Sequence, residues 1–245
     1  MSTSATPRGL LFGSAAESYE RFRLGYPDEV VDRTLSYADR PVADALEIGA
    51  GTGKATRAFA SRGIHVTALE PDPDMCTVLR REIQAMPVSP VHTRFEEYDG
   101  DRVDLVYAAA AMHWTDPATR WQRVHDLLVD GGVAAVFGCA MELPDEDVAE
   151  RMAAAMKPQL DGDSYSHTFD AGMTESELFA KIENHVIERE TWLPQREYVG
   201  YLSTVSAYLM LRLEDRQAVL QRIADSLPEQ VRVDISVGIT LGRRS

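Results

Sequence analysis

The stretch Ala45-Leu46-Glu47-Ile48-Gly49-Ala50-Gly51-Thr52-Gly53-Lys54 constrains this chain more than any other. An apolar run carrying one acid breaks into alternating glycines and then into helix-forming residues, which reads as a strand, a tight turn and a helix start. Glycines in such a turn take positive φ and let a ligand approach bare backbone. Such a corner, at the carboxyl end of a strand, is suited to a nucleotide-like molecule.

The chain around it alternates strand and helix. Strands are expected at Val42 to Ile48, Ile64 to Leu69, Val88 to His92, Val103 to Ala108 and Val133 to Gly138. The intervening helices run from Lys54 to Arg62, closed by Gly63, from an Asp72 cap to about Ile83, and from Pro117 to Leu128, stopped by Asp130-Gly131-Gly132. This order predicts a mostly parallel sheet with helices on both faces. Ahead of it, Phe12 to Tyr26 reads as a short amphipathic helix. Pro27 then opens a second one that buries Val30, Val31, Thr34, Leu35 and Ala38.

Beyond Cys139 the pattern changes. Helices are expected at Asp145 to Met156, at Glu175 to Ile182 with a Thr174 cap, at Gln195 to Leu213 and at Asp215 to Leu227. The segment from Asp161 to Gly172 reads as a loop, and Val186 to Trp192 and Val231 to Leu241 alternate as strands do. The expected organisation is one domain over residues 1–245, with a core at 12–140, a cap at 141–228 and a final strand at 229–245.

Composition removes several classes of function. A net charge of −14 and the lack of any basic run longer than a pair such as Arg243-Arg244 argue against a nucleic-acid partner. No apolar run is long enough to span a membrane, and Met1 to Pro7 lacks the basic and apolar regions of a signal peptide. Cys76 and Cys139 form no CxxC pair and read as thiols in a reducing cytoplasm, while His92, His113 and His125 are scattered, so no metal site is expected. A monomer or a homodimer is the expected state.

The glycines stand as GxGxG rather than the GxGxxG of dinucleotide sites, because Lys54 occupies the position where a third, packing glycine would be needed. Glu70 closes the next strand, where a carboxylate can accept both hydroxyls of a ribose. With Glu47 before the glycines and Glu70 beyond them, Ala45 to Met75 resembles the nucleoside-binding half of class I S-adenosylmethionine-dependent methyltransferases. Tyr19, Arg23, Tyr26 and Pro27 are similar to the N-terminal helix of the small-molecule branch of that family, the type 11 and trans-aconitate methyltransferase-like enzymes. Asp104-Leu105-Val106-Tyr107 followed by Ala111-Met112-His113-Trp114 resembles its fourth-strand motif, and Leu127 to Phe137 the glycine-pair strand after it. Specific motifs cover roughly residues 12 to 140, and the remainder matches only by pattern.

The resemblance implies a Rossmann-like seven-stranded sheet, mostly parallel with an antiparallel last strand, and a helical cap. It implies S-adenosyl-L-methionine as methyl donor, S-adenosyl-L-homocysteine as product and a small-molecule acceptor. Gly49 and Gly51 would approach the methionine part, with Glu47 and Ala109 also on the cofactor side, and Glu70 would hold the ribose. Pro71, Met75, Phe95 and Glu96 would border the adenine, and Tyr19 with Arg23 would meet the carboxylate. His113 is a candidate general base because imidazole titrates near neutrality, or else it hydrogen-bonds its own loop. Trp114, Phe12, Tyr198, Tyr201 and Tyr208 are candidate acceptor contacts, although aromatic helix faces also serve packing; His167, Trp192 and Arg196 are weaker candidates.

The acceptor expected is a small planar aromatic or heteroaromatic metabolite of secondary metabolism, methylated on nitrogen or oxygen. The alternatives are methyl-ester formation on a small carboxylic acid, a binding protein that keeps the cofactor fold without turnover, and a nicotinamide dehydrogenase.

Overall fold

The computed structural model describes residues 15–160 and 170–245, which form two compact units. Of the described residues, the core unit comprises 25–139, 170–187 and 237–245, and the smaller unit comprises 15–24, 140–160 and 188–236. Phe12 and His167 lie outside the described residues.

The elements of the first half follow the alternation. They are α1 (Ala16–Phe22), α2 (Asp28–Tyr37), β1 (Asp44–Ile48), α3 (Lys54–Ala60), β2 (His65–Leu69), α4 (Pro73–Glu82), β3 (Val88–Val91), β4 (Val103–Ala109) and α5 (Arg120–Leu127). Asp72 caps α4 by accepting the N–H groups of Asp74 and Met75, with Pro73 opening the first turn. The second half holds β5 (Leu128–Glu142), α6 (Glu146–Met156), β6 (Phe179–Pro194), α7 (Gln195–Leu202), α8 (Ser206–Leu209), α9 (Leu213–Ser226) and β7 (Gln230–Arg244).

The seven strands form one sheet in the order β3-β2-β1-β4-β5-β7-β6. β1 pairs in parallel with β2 and β4, β2 with β3, and β4 with β5. The sheet is mostly parallel, with one antiparallel edge. Successive strand residues feed two apolar clusters in turn: Leu105, Tyr107, Val133, Ala135 and Phe137 join one, and Leu46, Val106, Ala108, Ala134 and Val136 the other. Side chains of a strand alternate between faces, so this is a sheet buried on both sides.

Three expectations need correction. The segment Glu175 to Ile182 is not a helix: β6 begins at Phe179, which packs edge-on to Trp121 at 5.7 Å, while Asn184 accepts a hydrogen bond from Thr240 at 2.7 Å. Apolar spacing over so short a run fits either period, and the bonds offered by neighbouring chain decide it. The helical run from Gln195 to Leu213 is broken, with α7 and α8 separated by Ser203 to Val205. Asp130-Gly131-Gly132 does not separate helix from strand. It lies inside β5 as an irregularity, because Val103 pairs with Leu128 while Leu105 pairs with Val133. Gly131, at φ +72°, supplies the left-handed residue that the extra chain requires.

Candidate functional site

The glycine corner follows β1. Gly49, Gly51 and Gly53 have φ of +66°, +58° and +90°, all in the region that side-chain-bearing residues rarely adopt. A Cβ on Gly49 would stand 2.6 Å from that of Ala111, so the turn is seated directly on the chain leaving β4, whereas a Cβ on Gly51 would meet nothing within 4 Å. The backbone of Gly51 is thus open to an approaching ligand. Thr52 beside it is 1% exposed, and its Oγ1 has no hydrogen-bond partner among the described residues.

Glu70, at the end of β2, is buried behind this turn. Its Oε2 accepts the Gly51 N–H at 2.7 Å and its Oε1 the Asp72 N–H at 2.8 Å. Burial pushes its carboxyl up to about 7, against those two N–H bonds, which favour the ionised form. The corner is therefore locked by a side chain from the neighbouring strand that retains acceptor lone pairs for a diol.

Glu47 is 1% exposed, and its Oε2 accepts the Thr56 hydroxyl at 2.5 Å and the Tyr107 hydroxyl at 3.0 Å. Burial raises it to about 8, outweighing both hydroxyl bonds. Thr56 and Tyr107 were not singled out from the sequence. Thr56 had a local signal, since it falls on the inner face of the helix opened by the glycines, whereas Tyr107 is chosen only by the pairing of β1 with β4.

Met75 is buried in α4, and Pro71 is half-buried with its carbonyl bonded to His92 at 3.0 Å. Phe95 lies in the apolar cluster with Leu69 and Ala111, under the Arg123 guanidinium at 5.5 Å. Glu96 is half-buried and accepts the Asp116 N–H at 2.9 Å. Ala109 ends β4 opposite Phe137, and after it Ala110 takes φ +53°. The chain then forms a short 3-10 turn, Met112–Trp114, on which His113 is exposed and its ring lies 4.5 Å from that of Trp114, itself 36% exposed. Pairing of β1 with β2 and β4 places the glycine corner, Glu70 and this turn at the carboxyl ends of neighbouring parallel strands, where open α/β sheets bind ligands.

The smaller unit gathers Tyr19, Arg23, Tyr198, Tyr201 and Tyr208. The Arg23 guanidinium lies over the Tyr19 ring at 5.2 Å and the Tyr201 ring at 4.7 Å, and the Tyr198 and Tyr201 rings stack at 6.3 Å. Tyr198 and Tyr208 are buried; Tyr198 bonds the Met152 sulfur at 3.5 Å, and the Tyr208 hydroxyl has no partner among the described residues. Burial, reinforced by the neighbouring phenols, raises Tyr198 well above the usual range and Tyr208 to about 12. Both are therefore hydrogen-bond donors at neutral pH and not bases.

Comparison with known proteins identifies the family. A methyltransferase domain family model matches residues 46–136. An uncharacterized methyltransferase of Mycobacterium tuberculosis (strain ATCC 25618 / H37Rv) is 31% identical over 242 residues, covering 98% of this chain and 95% of that protein. The trans-aconitate 2-methyltransferase of Deinococcus radiodurans is 29% identical over 125 residues, covering 49% of this chain and 47% of that protein. Among solved structures, a candidate type II methyltransferase of Anaeromyxobacter dehalogenans superposes with a TM-score of 0.68 at 25% identity, covering 91% of this chain and 98% of that one. At 13% identity, phosphoethanolamine N-methyltransferase 2 of Haemonchus contortus, solved with S-adenosyl-L-methionine, has a TM-score of 0.56 over 99% of this chain and 60% of that one, a likeness of fold alone. The chain belongs to the class I S-adenosylmethionine-dependent methyltransferases and is an enzyme of that family. Among the described residues no helix is long and apolar enough to cross a membrane, and no cluster of His, Cys, Asp and Glu is arranged to hold a metal.

Proposed function

We propose that this enzyme transfers the methyl group of S-adenosyl-L-methionine to a nitrogen or oxygen of a small, planar aromatic or heteroaromatic metabolite, leaving S-adenosyl-L-homocysteine. The observation that carries the donor half is Glu70, buried and bonded to the amide of Gly51 beneath an open stretch of glycine backbone. The unpartnered Thr52 hydroxyl in the same loop supports the fit, since it is a buried polar atom that a bound ligand can satisfy.

In this reading Glu70 accepts the ribose hydroxyls, Gly49 and Gly51 present backbone to the methionine part, and Glu47 holds the loop from beneath through Thr56 and Tyr107. Pro71, Met75, Phe95, Glu96 and Ala109 form the adenine side, and Tyr19 and Arg23 take the carboxylate. When bound, the donor supplies a sulfonium methyl, which bonds to the acceptor's lone pair as the C–S electrons return to sulfur. Positioning accounts for much of the rate, as oriented intramolecular reactions reach effective molarities of about 10^5 to 10^8 M. His113 takes the proton that the acceptor nitrogen or oxygen releases. Trp114 offers it an aromatic face, and Tyr198, Tyr201 and Tyr208 are acceptor contacts that donate hydrogen bonds. The protein acts in the cytoplasm, in keeping with its two free cysteines, as a monomer or homodimer.

Incubation with methyl-labelled S-adenosyl-L-methionine and a panel of phenols, N-heteroaromatics and small carboxylic acids tests the acceptor class. Label on a ring nitrogen or phenol oxygen is expected, and label on carboxylates alone overturns it. The latter outcome would establish the second reading, methyl-ester formation, which the partial likeness to a trans-aconitate methyltransferase favours. His113→Gln is expected to lower kcat by about 100-fold and flatten the acid limb of the pH profile; an unchanged profile removes it as base.

A further inference from the structure

At the opposite edge of the sheet from the glycine corner, the amino ends of three neighbouring strands carry Asp44, His65 and Ser89. Asp44 opens β1 and His65 opens β2, and the two stand opposite one another in the parallel register. Ser89, the second residue of β3, pairs with Thr67, two residues on from His65. Side chains two apart along a strand share a face, so all three project from the same side of the sheet.

Their contacts run in one line. His65 Nδ1 lies 3.3 Å from Asp44 Oδ1, and its Nε2 lies 3.0 Å from Ser89 Oγ. An ionised carboxylate only accepts hydrogen bonds, so it selects the imidazole tautomer that carries its hydrogen on Nδ1. Nε2 is left with its lone pair, and the Ser89 hydroxyl donates to it. Hydroxyl to Nε2 and Nδ1 to carboxylate is the order of contacts by which an imidazole takes a serine proton while an aspartate steadies the imidazolium that forms.

The three residues stand on fixed backbone. The His65 N–H donates to the Ala43 carbonyl at 2.9 Å, and the amides of Ala43 and Asp44 donate to Asp104 Oδ2 at 3.0 and 3.2 Å. Ala45 and Val66, next along their strands, are buried. Side chains on strands held in this way keep their spacing better than side chains on loops. All three are exposed, and β3 is the outermost strand, so Ser89 is reached from solvent.

We propose that Ser89, His65 and Asp44 form a second reactive site, separate from the methyl-transfer site, in which Ser89 is a nucleophile toward activated acyl esters. Ser89 Oγ bonds to the ester carbonyl carbon as its proton passes to His65 Nε2. The bond from that carbon to the leaving oxygen then breaks, and the leaving oxygen takes the proton from Nε2, so the acyl group stays on Ser89. Water, deprotonated by the same nitrogen, releases it as the carboxylic acid. Pro90, the next residue, has no N–H to offer the tetrahedral oxyanion, which water solvates at this open face; the site is therefore restricted to esters with good leaving groups.

The full chain incubated with para-nitrophenyl acetate is expected to release para-nitrophenolate and to carry an acetyl group on Ser89, located by mass spectrometry of its peptides. His65→Asn is expected to slow acetylation of Ser89 by about 100-fold, the scale of a lost general base. Asp44→Asn is expected to slow it by about fivefold, because the pair that it breaks is exposed to water. Ser89→Ala is expected to lose the corresponding release of para-nitrophenolate. The substituted side chains are exposed, so the Tm of each variant is expected to stay within about 2 °C of wild type. Acetyl groups on lysines or the amino terminus alone, or Ser89 acetylated as fast in His65→Asn as in wild type, would overturn the inference. Neither result touches the donor reading, whose own test is binding of S-adenosyl-L-homocysteine.

Discussion

The glycine corner of the core unit and the arginine–tyrosine cluster of the smaller unit are both built around a side chain that reaches across to another segment. They differ in how far along the chain they reach. Glu70 bonds the amide of Gly51 across 19 residues, between adjacent parallel strands, whereas Arg23 bonds Thr204 across 181. The corner also rests on a sheet buried on both faces, with Ala111 directly under Gly49. The cluster rests on short helices and on a phenol with no partner among the described residues. The proposed donor site is thus carried by neighbouring segments on a sheet buried on both faces. The cluster, proposed to meet the donor's carboxylate through Arg23 and the acceptor through its tyrosines, is assembled from segments far apart in the chain.

The largest effect that would break this contrast lies at Gly49. A Gly49→Val side chain meets Ala111 and requires a β-branched residue at positive φ, so S-adenosyl-L-homocysteine affinity is expected to fall on the order of 100-fold. Calorimetric affinity close to wild type, with circular dichroism unchanged, would show that the turn is not held as tightly as its geometry states.

The next effect is in pH. Burial holds the Glu70 carboxyl up at about 7, and in the proposed complex the ribose hydroxyls would donate to its ionised form. Donor affinity is therefore expected to rise about tenfold from pH 6 to pH 8, as the proton no longer has to leave on binding. Glu70→Gln is expected to bind weakly and without this slope, and a slope that persists in the variant assigns it elsewhere.

A smaller effect is expected in the other region. Tyr208→Phe removes only a buried, unpartnered hydroxyl, so it is expected to raise the acceptor KM about fivefold while leaving S-adenosyl-L-homocysteine affinity unchanged. An unchanged KM together with a higher Tm would identify that hydroxyl as a packing defect and remove Tyr208 from the acceptor site.

The smallest effect concerns stability. The Glu47 carboxyl, at about 8 when folded against an ordinary value of 4.5, keeps its proton in the native state over a range where the unfolded chain has lost it. Its contribution is fully present below about pH 4.5 and is lost as pH rises towards 8. Glu47→Gln keeps an oxygen for Thr56 and Tyr107, so it is expected to raise Tm at pH 8.5 by roughly 2–4 °C and to change it little at pH 4.5. Parallel Tm–pH curves for the two proteins would place the buried proton elsewhere.

Much of the core was legible because its signals are local. The strand–turn–helix at Ala45 to Lys54, the Asp72 cap and the alternation of Val231 to Leu241 each state their structure within about ten residues, and all three form as read. The segment Glu175 to Ile182 misled because Leu178, Phe179 and Ile182 fit a helical stripe, while the backbone bonds available beside β7 favour a strand. The glycine pair at Gly131-Gly132 marks flexibility without saying whether the chain turns or bulges. Only the register against β4 decides that.

The sequence by itself determined the donor-side chemistry: glycines that must take positive φ, an acid at the next strand end, and the order of strand and helix that puts both at one edge of a parallel sheet. Those properties follow from residue identity and short-range sterics. Only the tertiary structure decided that Glu47 is sealed by Thr56 and Tyr107, that Gly49 sits on Ala111, and that Thr204 holds Arg23. Burial and long-range hydrogen bonding set those partnerships, and no pattern along the chain records which distant residue will satisfy a buried polar group.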